Sequence, residues 1–295
     1  MGRRGRTVGL VRLLVLIAVI VAVVAVVVVL SRPSPQQPTH GIKRAAVTHR
    51  STTPKKRRPR SLLVRNARPQ PSWRPYTGPV PILVYHALGP VPAGAPFPGL
   101  YVSYGDFKAE MAWLHAHGYQ AVTLDEVMRA WYHGGRLPAK PIVITFDNGY
   151  PEQVTFAPHV MARYGWPGVL NEITEGHLHP KQIWPIIHMG WEVDSHSLTH
   201  PDLTTEDAAD LWAQVHDSRV YLQKTFHIPV NSFCYPSSRY NAAVIAAVKK
   251  AGYTNAVTEA DSYATSADPY LLPRFEIEGG VPELAADLAS HVLGP

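Results

Sequence analysis

The segment 141–150 constrains the fold of this chain more than any other stretch. Residues 141–144 form a short apolar run, which is typical of a buried parallel strand, and the run leads on to Asp147, Asn148 and Gly149. A glycine at this point can adopt a positive φ and turn the chain. Because ligands and catalytic groups collect at the carboxyl ends of strands in α/β proteins, Asp147 and Asn148 are candidate site residues.

A second segment places two histidines in the same situation. His196 and His200 follow the strand-like run 191–195, and two histidines at positions i and i+4 can converge on one metal ion. A surface pair without function is the alternative interpretation. The strand before the pair and the turn that begins at Pro201 favour a metal site.

Strand-like and helix-like segments alternate through the rest of the folded part. We predict strands at 80–85, 142–146, 168–173, 191–195, 232–235, 253–257 and 274–277, and helices at 106–117, 123–131, 205–226, 241–251 and 282–292. This alternation predicts parallel strand pairing, and therefore an α/β fold with a barrel or an open sheet.

The basic residues of the chain are concentrated at its N-terminus. Residues 1–75 contain sixteen of the 28 Lys and Arg and no Asp or Glu. The remaining residues, 76–295, therefore carry twelve basic and 22 acidic side chains, a net charge of −10 with histidine neutral. Nucleic-acid binding requires a basic face on the folded domain itself, so this charge distribution argues against a nucleic-acid partner.

A membrane anchor is predicted at the start of the chain. Four arginines precede an uncharged run of eighteen residues, 13–30, which as a helix would span about 27 Å, close to the thickness of a bilayer core. Positive charge before the run predicts a cytoplasmic N-terminus and an extracellular C-terminal domain at the cell membrane. A cleaved signal peptide is the alternative, but residues 30–33 offer no small-x-small cleavage site.

Composition divides the chain into three parts. We predict a basic cytoplasmic stub and transmembrane helix at 1–30, a disordered basic Pro-rich linker at 31–75, and one folded domain at 76–295. The Lys-Arg run at 55–60 would contact anionic headgroups or wall polymers, or would simply be solvated. The single cysteine, Cys234, excludes an internal disulfide and is interpreted as a small buried hydrophobe.

The two polar segments together resemble the first and second motifs of the polysaccharide deacetylases, the NodB-homology or carbohydrate esterase 4 family. The first family motif, Thr-Phe-Asp-Asp-Gly, corresponds to residues 145–149, and the second, His-Ser/Thr-x-x-His, is matched in full by residues 196–200. The resemblance covers about residues 79–288 and implies a distorted (β/α) barrel. Asn148 stands where the family has its second Asp.

The resemblance also implies a division of roles. Asp147 is expected to be the catalytic base, with Asn148, His196 and His200 holding a divalent metal ion, zinc by default. An amide oxygen binds a divalent ion without the Coulomb attraction of a carboxylate, so Asn148 is expected to lower metal affinity. Asp194, two residues before His196 and on the same side of its strand, is a candidate source of the missing negative charge.

Three further residues match family positions. His86 follows the first predicted strand, as does the general acid of the circularly permuted branch that deacetylates poly-N-acetylglucosamine. Tyr235 and Pro236 match the family's aromatic-Pro segment, which lines the acetyl pocket, although Ser238 replaces the usual Gly. Tyr235 as a plain core aromatic is the alternative. Arg274 resembles a residue of the family's closing segment and is a candidate to orient a carboxylate.

The resulting hypothesis is a metal-dependent hydrolase that removes N-acetyl groups, or as a second choice O-acetyl groups, from an N-acetylated polysaccharide of the cell envelope or exterior. A catalytically silent glycan-binding domain of the same fold is the alternative, because Asn148 weakens the metal site. A glycoside hydrolase would require two carboxylates that flank a bond. Asp147 and Asp194 are the only nearby pair, and this third interpretation leaves the histidines unexplained.

Overall fold

Eight parallel strands form the central sheet of the protein. The structure is a computed structural model that describes residues 63–290, apart from the side chain of Ser290. In chain order the strands are β1 (Ile82–Tyr85), β2 (Gln120–Ala121), β3 (Pro141–Asp147), β4 (Val169–Glu172), β5 (Glu192–Ser195), β6 (Ser232–Cys234), β7 (Asn255–Val257) and β8 (Phe275–Glu276). Their order is β7-β6-β5-β4-β3-β1-β8, and β2 pairs with the first residues of β3.

The sheet curls until one segment of chain contacts both of its edges. Leu272 forms a parallel bridge with Val257 of β7, and three residues later Phe275 of β8 pairs with Leu83 of β1. The predicted α/β fold with parallel strands is therefore confirmed, as a curled sheet in which residues 272–276 close the gap between the edges.

Helices pack on the outside of the curl. They are α1 (Tyr104–Ala116), α2 (Leu124–His133), α3 (Pro151–Thr155), α4 (Ala157–Met161), α5 (Pro180–Met189), α6 (Ala208–Trp212), α7 (Ser218–Phe226), α8 (Ala242–Lys250) and α9 (Val281–Ser290). Alternate residues of β3 belong to different buried clusters, with Ile144 and Phe146 in one and Val143 in the other. Both faces of the sheet are thus buried, which explains why this strand is a continuous apolar run rather than an alternating one.

The predicted helices at 106–117, 123–131, 241–251 and 282–292 are present within a few residues. The long helix predicted at 205–226 begins later, at Ala208, because the side chain of Asp207 accepts hydrogen bonds from the N–H groups of Ala209 and Asp210. A π-helical turn at Ala213–Asp217 then separates α6 from α7. Helices α3, α4 and α5 were not predicted, since the first two are five residues long and the third contains Pro185.

The folded region begins earlier than the sequence predicted. Trp73 is 2% exposed and Asn66 is fully buried, and the Asn66 side-chain amide donates a hydrogen bond to the carbonyl of Ala121. Residues 63–75, assigned above to the linker, therefore pack on the domain. The rest of the predicted linker and the predicted anchor at 13–30 lie outside the described residues. Within residues 63–290, no helix is long and apolar enough to cross a membrane.

Helix α8 provides a test of the local interactions that set these boundaries. The Asn241 side-chain oxygen accepts hydrogen bonds from the N–H groups of Ala243 and Val244, at 2.9 and 3.0 Å. We expect Asn241→Ala to lower the free energy of unfolding by about 0.5–2 kcal/mol, because two donors of the first turn lose their partner. Urea unfolding measures the change, and Asn241→Ser, which keeps a capping oxygen, is the control. Equal losses in both variants would contradict the capping role.

Candidate active site

A buried ion pair lies at the centre of the site. Asp147 ends β3, and Arg274 lies immediately before β8; each side chain is 1% exposed. The guanidinium donates to both carboxylate oxygens, with Nη1 2.8 Å from Oδ1 and Nη2 2.7 Å from Oδ2. Such a two-point contact fixes the plane of the carboxylate. The prediction that Arg274 orients a carboxylate is confirmed.

The ion pair keeps Asp147 ionised. Burial alone would raise the pKa of the Asp147 carboxyl, but the charge and hydrogen bonds of Arg274, with smaller contributions from His196 and His86, hold the pKa well below its usual range. Although burial opposes its charge, Arg274 in turn has its pKa raised by Asp147. Asp147 is therefore a carboxylate over the whole physiological pH range.

Two further donors contact the Asp147 carboxylate, and Arg274 has a further acceptor. The Asn171 side-chain amide, on the neighbouring strand β4, donates to Oδ1 of Asp147 at 2.7 Å. The Cys234 thiol lies 3.1 Å from Oδ2 of Asp147, and burial raises the pKa of that thiol well above its usual value. Cys234 therefore contacts the site as a neutral thiol. Arg274 also donates to the Thr145 hydroxyl.

His196 is oriented by the main chain of the next strand. Its Nδ1 lies 2.9 Å from the carbonyl oxygen of Cys234, which makes Nδ1 the donor and leaves Nε2 with its lone pair. Burial lowers the pKa of His196 to about 3, so the imidazole is neutral at physiological pH. A neutral imidazole with one ring nitrogen hydrogen-bonded to a carbonyl is the usual state of a metal-ligating histidine.

His200 and Asn148 complete the predicted ligand set. The rings of His196 and His200 lie with their centroids 4.6 Å apart and nearly perpendicular, and burial also lowers the pKa of His200. Asn148 has a φ of 76° and Gly149 a φ of 75°, so the chain turns sharply where β3 ends. The Asn148 side-chain oxygen is buried and has no hydrogen-bond partner among residues 63–290.

These three residues fit a divalent cation. Two neutral imidazoles and an unpartnered buried amide oxygen form a nitrogen and oxygen donor set that zinc accepts. A second cluster, formed by Asp147, His196 and Cys234, has potential ligand atoms within 4.8 Å of one another. We favour the first set, because Asp147 and Cys234 both contact the guanidinium of Arg274, whose positive charge would repel a cation.

His86 is also close to the Asp147 carboxylate. The side-chain ligand atoms of His86, Asp147 and Glu259 all lie within 4.8 Å of one another, and Nδ1 of His86 is 3.8 Å from Oε1 of Glu276. Burial lowers the pKa of His86, while the charge of Asp147 opposes that shift. Burial raises the pKa of Glu259 to about 7 despite the nearby Arg274. The structure thus brings the predicted acid and the predicted base together.

Sequence reasoning missed several residues that hold the site. Gln153 is fully buried, and its amide nitrogen donates to the main-chain carbonyls of Asp147 and His86, at 2.6 and 2.8 Å. The sequence signal was its position three residues after Tyr150, since glutamine there can cap a helix start; its Oε1 does accept from the Tyr150 N–H. Asn171 and Glu259 had no motif that could reveal them.

The aromatic-Pro segment directly follows β6. Tyr235 is 1% exposed, and its hydroxyl donates to the carbonyl of Tyr270, while Pro236 begins a short 3-10 helix, Pro236–Ser238. The ring of Tyr235 thus occupies the position of a core aromatic. The prediction that Tyr235 and Pro236 contact substrate remains a prediction, and such contact would have to come from atoms other than the buried ring.

Asp194 is not where the sequence suggested. Its Oδ1 accepts hydrogen bonds from the N–H groups of Asn231 and Ser232, at the amino end of β6, whereas His196 contacts Cys234 at the carboxyl end of that strand. Asp194 does face the same side of its strand as His196, but it lies two residues closer to the amino end of that strand, away from His196. It can supply neither a ligand beside His196 nor the second carboxylate of a glycosidase.

Comparisons with known proteins find similarity to polysaccharide deacetylases. A family model described as polysaccharide deacetylase matches residues 134–256. YxkH of Bacillus subtilis (strain 168), which carries a provisional polysaccharide deacetylase name, is 28% identical over 208 residues, covering 68% of this chain and 72% of its own. The poly-beta-1,6-N-acetyl-D-glucosamine N-deacetylase of Staphylococcus aureus (strain MRSA252) is 22% identical over 196 residues, covering 60% of this chain and 67% of its own.

A solved structure shares the fold. The Streptococcus pyogenes deacetylase PplD, determined in complex with acetate, superposes with a TM-score of 0.67 and 24% sequence identity, over 74% of this chain and all of that one. The curled parallel sheet described above is thus an architecture already known among deacetylases.

The buried His196 predicts a pH dependence for the metal-free protein. Because the folded-state pKa, about 3, lies below the unfolded value of about 6.5, the stability contribution is present above about pH 6.5 and is lost as the pH falls toward 3. We expect the free energy of unfolding of chelator-treated protein to fall between pH 7 and 5, with His196 contributing up to about 1.4 kcal/mol per pH unit.

Urea unfolding at several pH values gives the slope of the unfolding free energy against pH. The difference in this slope between wild-type and His196→Gln protein measures the contribution of His196. The exposed His133, changed to glutamine, is the matched control and should leave the slope as in the wild type. If the His196→Gln protein has the wild-type slope, then His196 is not held neutral by burial.

Proposed function

We propose that this chain belongs to the polysaccharide deacetylase family and that its described domain is a hydrolase, which removes N-acetyl groups from a glycan. The observation that carries the proposal is the ionised Asp147 beside two neutral histidines and an unpartnered amide oxygen. Amide hydrolysis requires a base for water, stabilisation of a developing oxyanion and an acid for the leaving amine. The chain offers a candidate for each role.

Asp147 is the proposed base. Its carboxylate is permanently ionised and rigidly oriented by Arg274 and Asn171, so it is ready to accept a proton from water at any physiological pH. Its low pKa also makes it a weak base. The water that it deprotonates must therefore be made more acidic by another group.

Asn148, His196 and His200 are the proposed holders of a divalent cation, by default zinc. Such an ion supplies Lewis acidity, which lowers the pKa of water and polarises a carbonyl oxygen. The chain contributes the donor atoms: the free Nε2 of His196, set by its Nδ1 contact with Cys234, and the buried oxygen of Asn148. The pKa values of both histidines are lowered, which keeps their lone pairs available.

His86 is the proposed acid for the leaving amine. It is close to Asp147, so the two groups can serve the same reacting amide from different sides. Its lowered pKa makes the imidazolium a stronger proton donor and reduces its population at neutral pH. Gln153 holds the main chain of His86 and Asp147 at a fixed separation.

The proposed substrate is a partly N-acetylated polysaccharide of the poly-N-acetylglucosamine type. One relative acts on poly-beta-1,6-N-acetyl-D-glucosamine by its name, and residues 76–295 have a net charge of −10. A glycan that gains free amines as it is deacetylated becomes cationic, and an acidic domain attracts it. Removal of O-acetyl groups remains the second choice.

A location also belongs to the proposal. Residues 13–30 would anchor the chain in the cell membrane, and residues 31–62 would extend the domain from the outer surface toward an envelope glycan.

The neutral Asn148 favours one alternative function, a glycan-binding domain without turnover. Measurement of zinc content and of acetate release from β-1,6- and β-1,4-linked N-acetylglucosamine oligomers separates the two.

The base assignment predicts the effect of Asp147→Asn. We expect acetate release to fall by at least about 10²-fold, because an amide cannot accept the proton from water. The variant also leaves Arg274 buried without its partner, so stability should fall, by about 3–5 kcal/mol on the scale of broken buried pairs. Acetate release by the folded fraction, quantified by circular dichroism, is the measurement.

Asp194→Asn is the matched control, because it alters an equally buried aspartate that bonds to the amino end of β6 rather than to Arg274. It should keep wild-type turnover in its folded fraction. Wild-type turnover in Asp147→Asn would exclude Asp147 as the base.

The departure from the family motif predicts the effect of Asn148→Asp. A carboxylate at this position adds a full negative charge beside the cation, and we expect zinc affinity to rise by about 10–100-fold. Water near the ion should become less acidic at the same time, so turnover at saturating zinc should rise little or fall. Chelator competition gives the affinity, and unchanged affinity would show that position 148 does not face the ion.

A further inference from the structure

Two adjoining pockets form a groove along helix α2. The larger has a volume of about 470 Å³, within the range of about 300–1,000 Å³ that is usual for small-molecule sites, and the smaller has a volume of about 260 Å³. Asp125 and Arg129 line both pockets, so we call the two together the α2 groove. Asn231 and Thr254, which line the larger pocket, directly precede β6 and β7. The groove therefore lies at the amino ends of these strands, whereas Asp147 ends β3.

Asp125 presents a carboxylate to both parts of the groove. It is the second residue of α2, where the helix dipole favours a negative charge. Its oxygens accept hydrogen bonds from the side-chain amide of Asn231, at 2.9 and 3.2 Å. Among residues 63–290 no ion pair joins Asp125 to a basic side chain, and the neighbouring Arg129 pairs with Glu126 instead. The carboxylate is thus free to pair with a cationic ligand.

The smaller pocket adds polar atoms that lack partners. Glu126 is 6% exposed and lines this pocket; its Oε1 accepts from Arg129, and its Oε2 has no hydrogen-bond partner in the described part of the chain. Burial raises the pKa of Glu126, so Glu126 contributes a hydrogen-bonding oxygen whether or not it is ionised. Trp191 also lines the pocket, and its Nε1 has no acceptor within residues 63–290. Because unpartnered buried polar groups are costly, this pocket suits a ligand with both donors and acceptors.

The larger pocket adds two tyrosine rings. Tyr132 is 42% exposed, and its hydroxyl donates to the carbonyl of Ser266 at 2.7 Å. The hydroxyl of Tyr270 donates to a main-chain carbonyl as well, but Lys249 lies over its ring, with Nζ 4.6 Å from the centroid. Tyr132 therefore provides the exposed ring of the groove. A fixed aromatic ring beside a few polar groups is suited to a ligand with one apolar face and several hydroxyls, such as a sugar.

We propose that the α2 groove is a second glycan-binding site, which takes amino-sugar residues and pairs their ammonium groups with Asp125. This inference rests on the proposed function, because deacetylation creates the free amines. An N-acetylated residue has no positive charge and cannot form this ion pair, so the groove prefers the product of the reaction to its substrate. A polymer that is held by its deacetylated residues keeps its remaining acetylated residues at high local concentration around the domain.

The test is the binding of β-1,4-linked glucosamine and N-acetylglucosamine oligomers of equal length to full-length protein. Isothermal titration calorimetry in slightly acidic buffer, which keeps the sugar amine protonated, measures the affinity. We expect Asp125→Asn, which removes the charge and keeps the shape, to bind the glucosamine oligomer about 10-fold more weakly than the wild type, on the scale of hydrogen bonds to charged groups. Its affinity for the N-acetylglucosamine oligomer should be that of the wild type.

Asp210→Asn is the matched control. Asp210 is an exposed aspartate in the first turn of α6, and it lines neither pocket. Its variant should bind both oligomers like the wild type. Asp125→Glu keeps the charge and should retain more affinity for the glucosamine oligomer than Asp125→Asn does. Equal losses in the two variants at position 125 would overturn the ion pair.

Competition separates the groove from the candidate active site. A saturating N-acetylglucosamine oligomer, which would occupy the active site, should leave the affinity for the glucosamine oligomer unchanged. Displacement of one oligomer by the other would place both in one site and overturn the proposal.

The outcomes also distinguish failure of the inference from failure of the proposed function. If the protein releases acetate but Asp125→Asn binds the glucosamine oligomer like the wild type, the hydrolase stands and the role of the groove is refuted. If no acetate is released and Asp125→Asn still weakens binding of the glucosamine oligomer, the proposed hydrolysis is wrong and the groove stands as a glycan-binding site. If the wild type does not bind the glucosamine oligomer, the inference is overturned.

Discussion

The buried pair between Asp147 and Arg274 is the interaction on which the rest of the structure depends. Arg274 lies between Leu272, which bridges to β7, and Phe275, which pairs with β1. The guanidinium therefore belongs to the segment that closes the curl, and it reaches the carboxylate at the end of the central strand. Neither charge could remain buried alone without a large desolvation cost. Closure of the sheet and assembly of the site consequently depend on the same segment, which carries Arg274.

This pair also fixes the chemistry that the site can perform. A carboxylate with four neighbouring donors is always ionised and points in one direction, but its affinity for a proton is low. It can act as a base only toward a water whose own pKa has been lowered. The neutral His196 and His200, which follow β5, are candidate ligands for a cation that would do this, since uncharged imidazoles can bind a metal ion at physiological pH. The proposed base role of Asp147 therefore depends on the proposed metal site.

The sequence revealed the parts of this arrangement that depend on periodicity and local motifs. The buried strands followed from continuous apolar runs, and Asp147, His196 and His86 followed from their positions at strand ends. Asn171 acts through a contact with Asp147 on a neighbouring strand, and no local pattern encodes such a contact. Gln153 had only its helix-capping position as a signal, which does not reveal its bond to His86. Asp194 shows what strand alternation cannot predict. Alternation correctly predicted the face of the sheet on which Asp194 lies, but its position along the barrel axis depends on the register between β5 and β6. The break at Ala213–Asp217 in the predicted long helix is likewise a π turn without a sequence signal of its own.

The conformation at Asn148 explains how this chain accommodates an asparagine where the motif that it resembles has an aspartate. The residue has a φ of 76°, a left-handed conformation that asparagine and aspartate adopt more readily than other residues with a side chain. Exchange of a carboxylate for an amide there leaves the turn unstrained and the next residue, Gly149, in place above Glu172. The exchange changes one property, the charge of the side chain at position 148. Backbone geometry therefore does not distinguish an active site from a silent one at this position, and the electrostatic balance around Asn148 must decide between them.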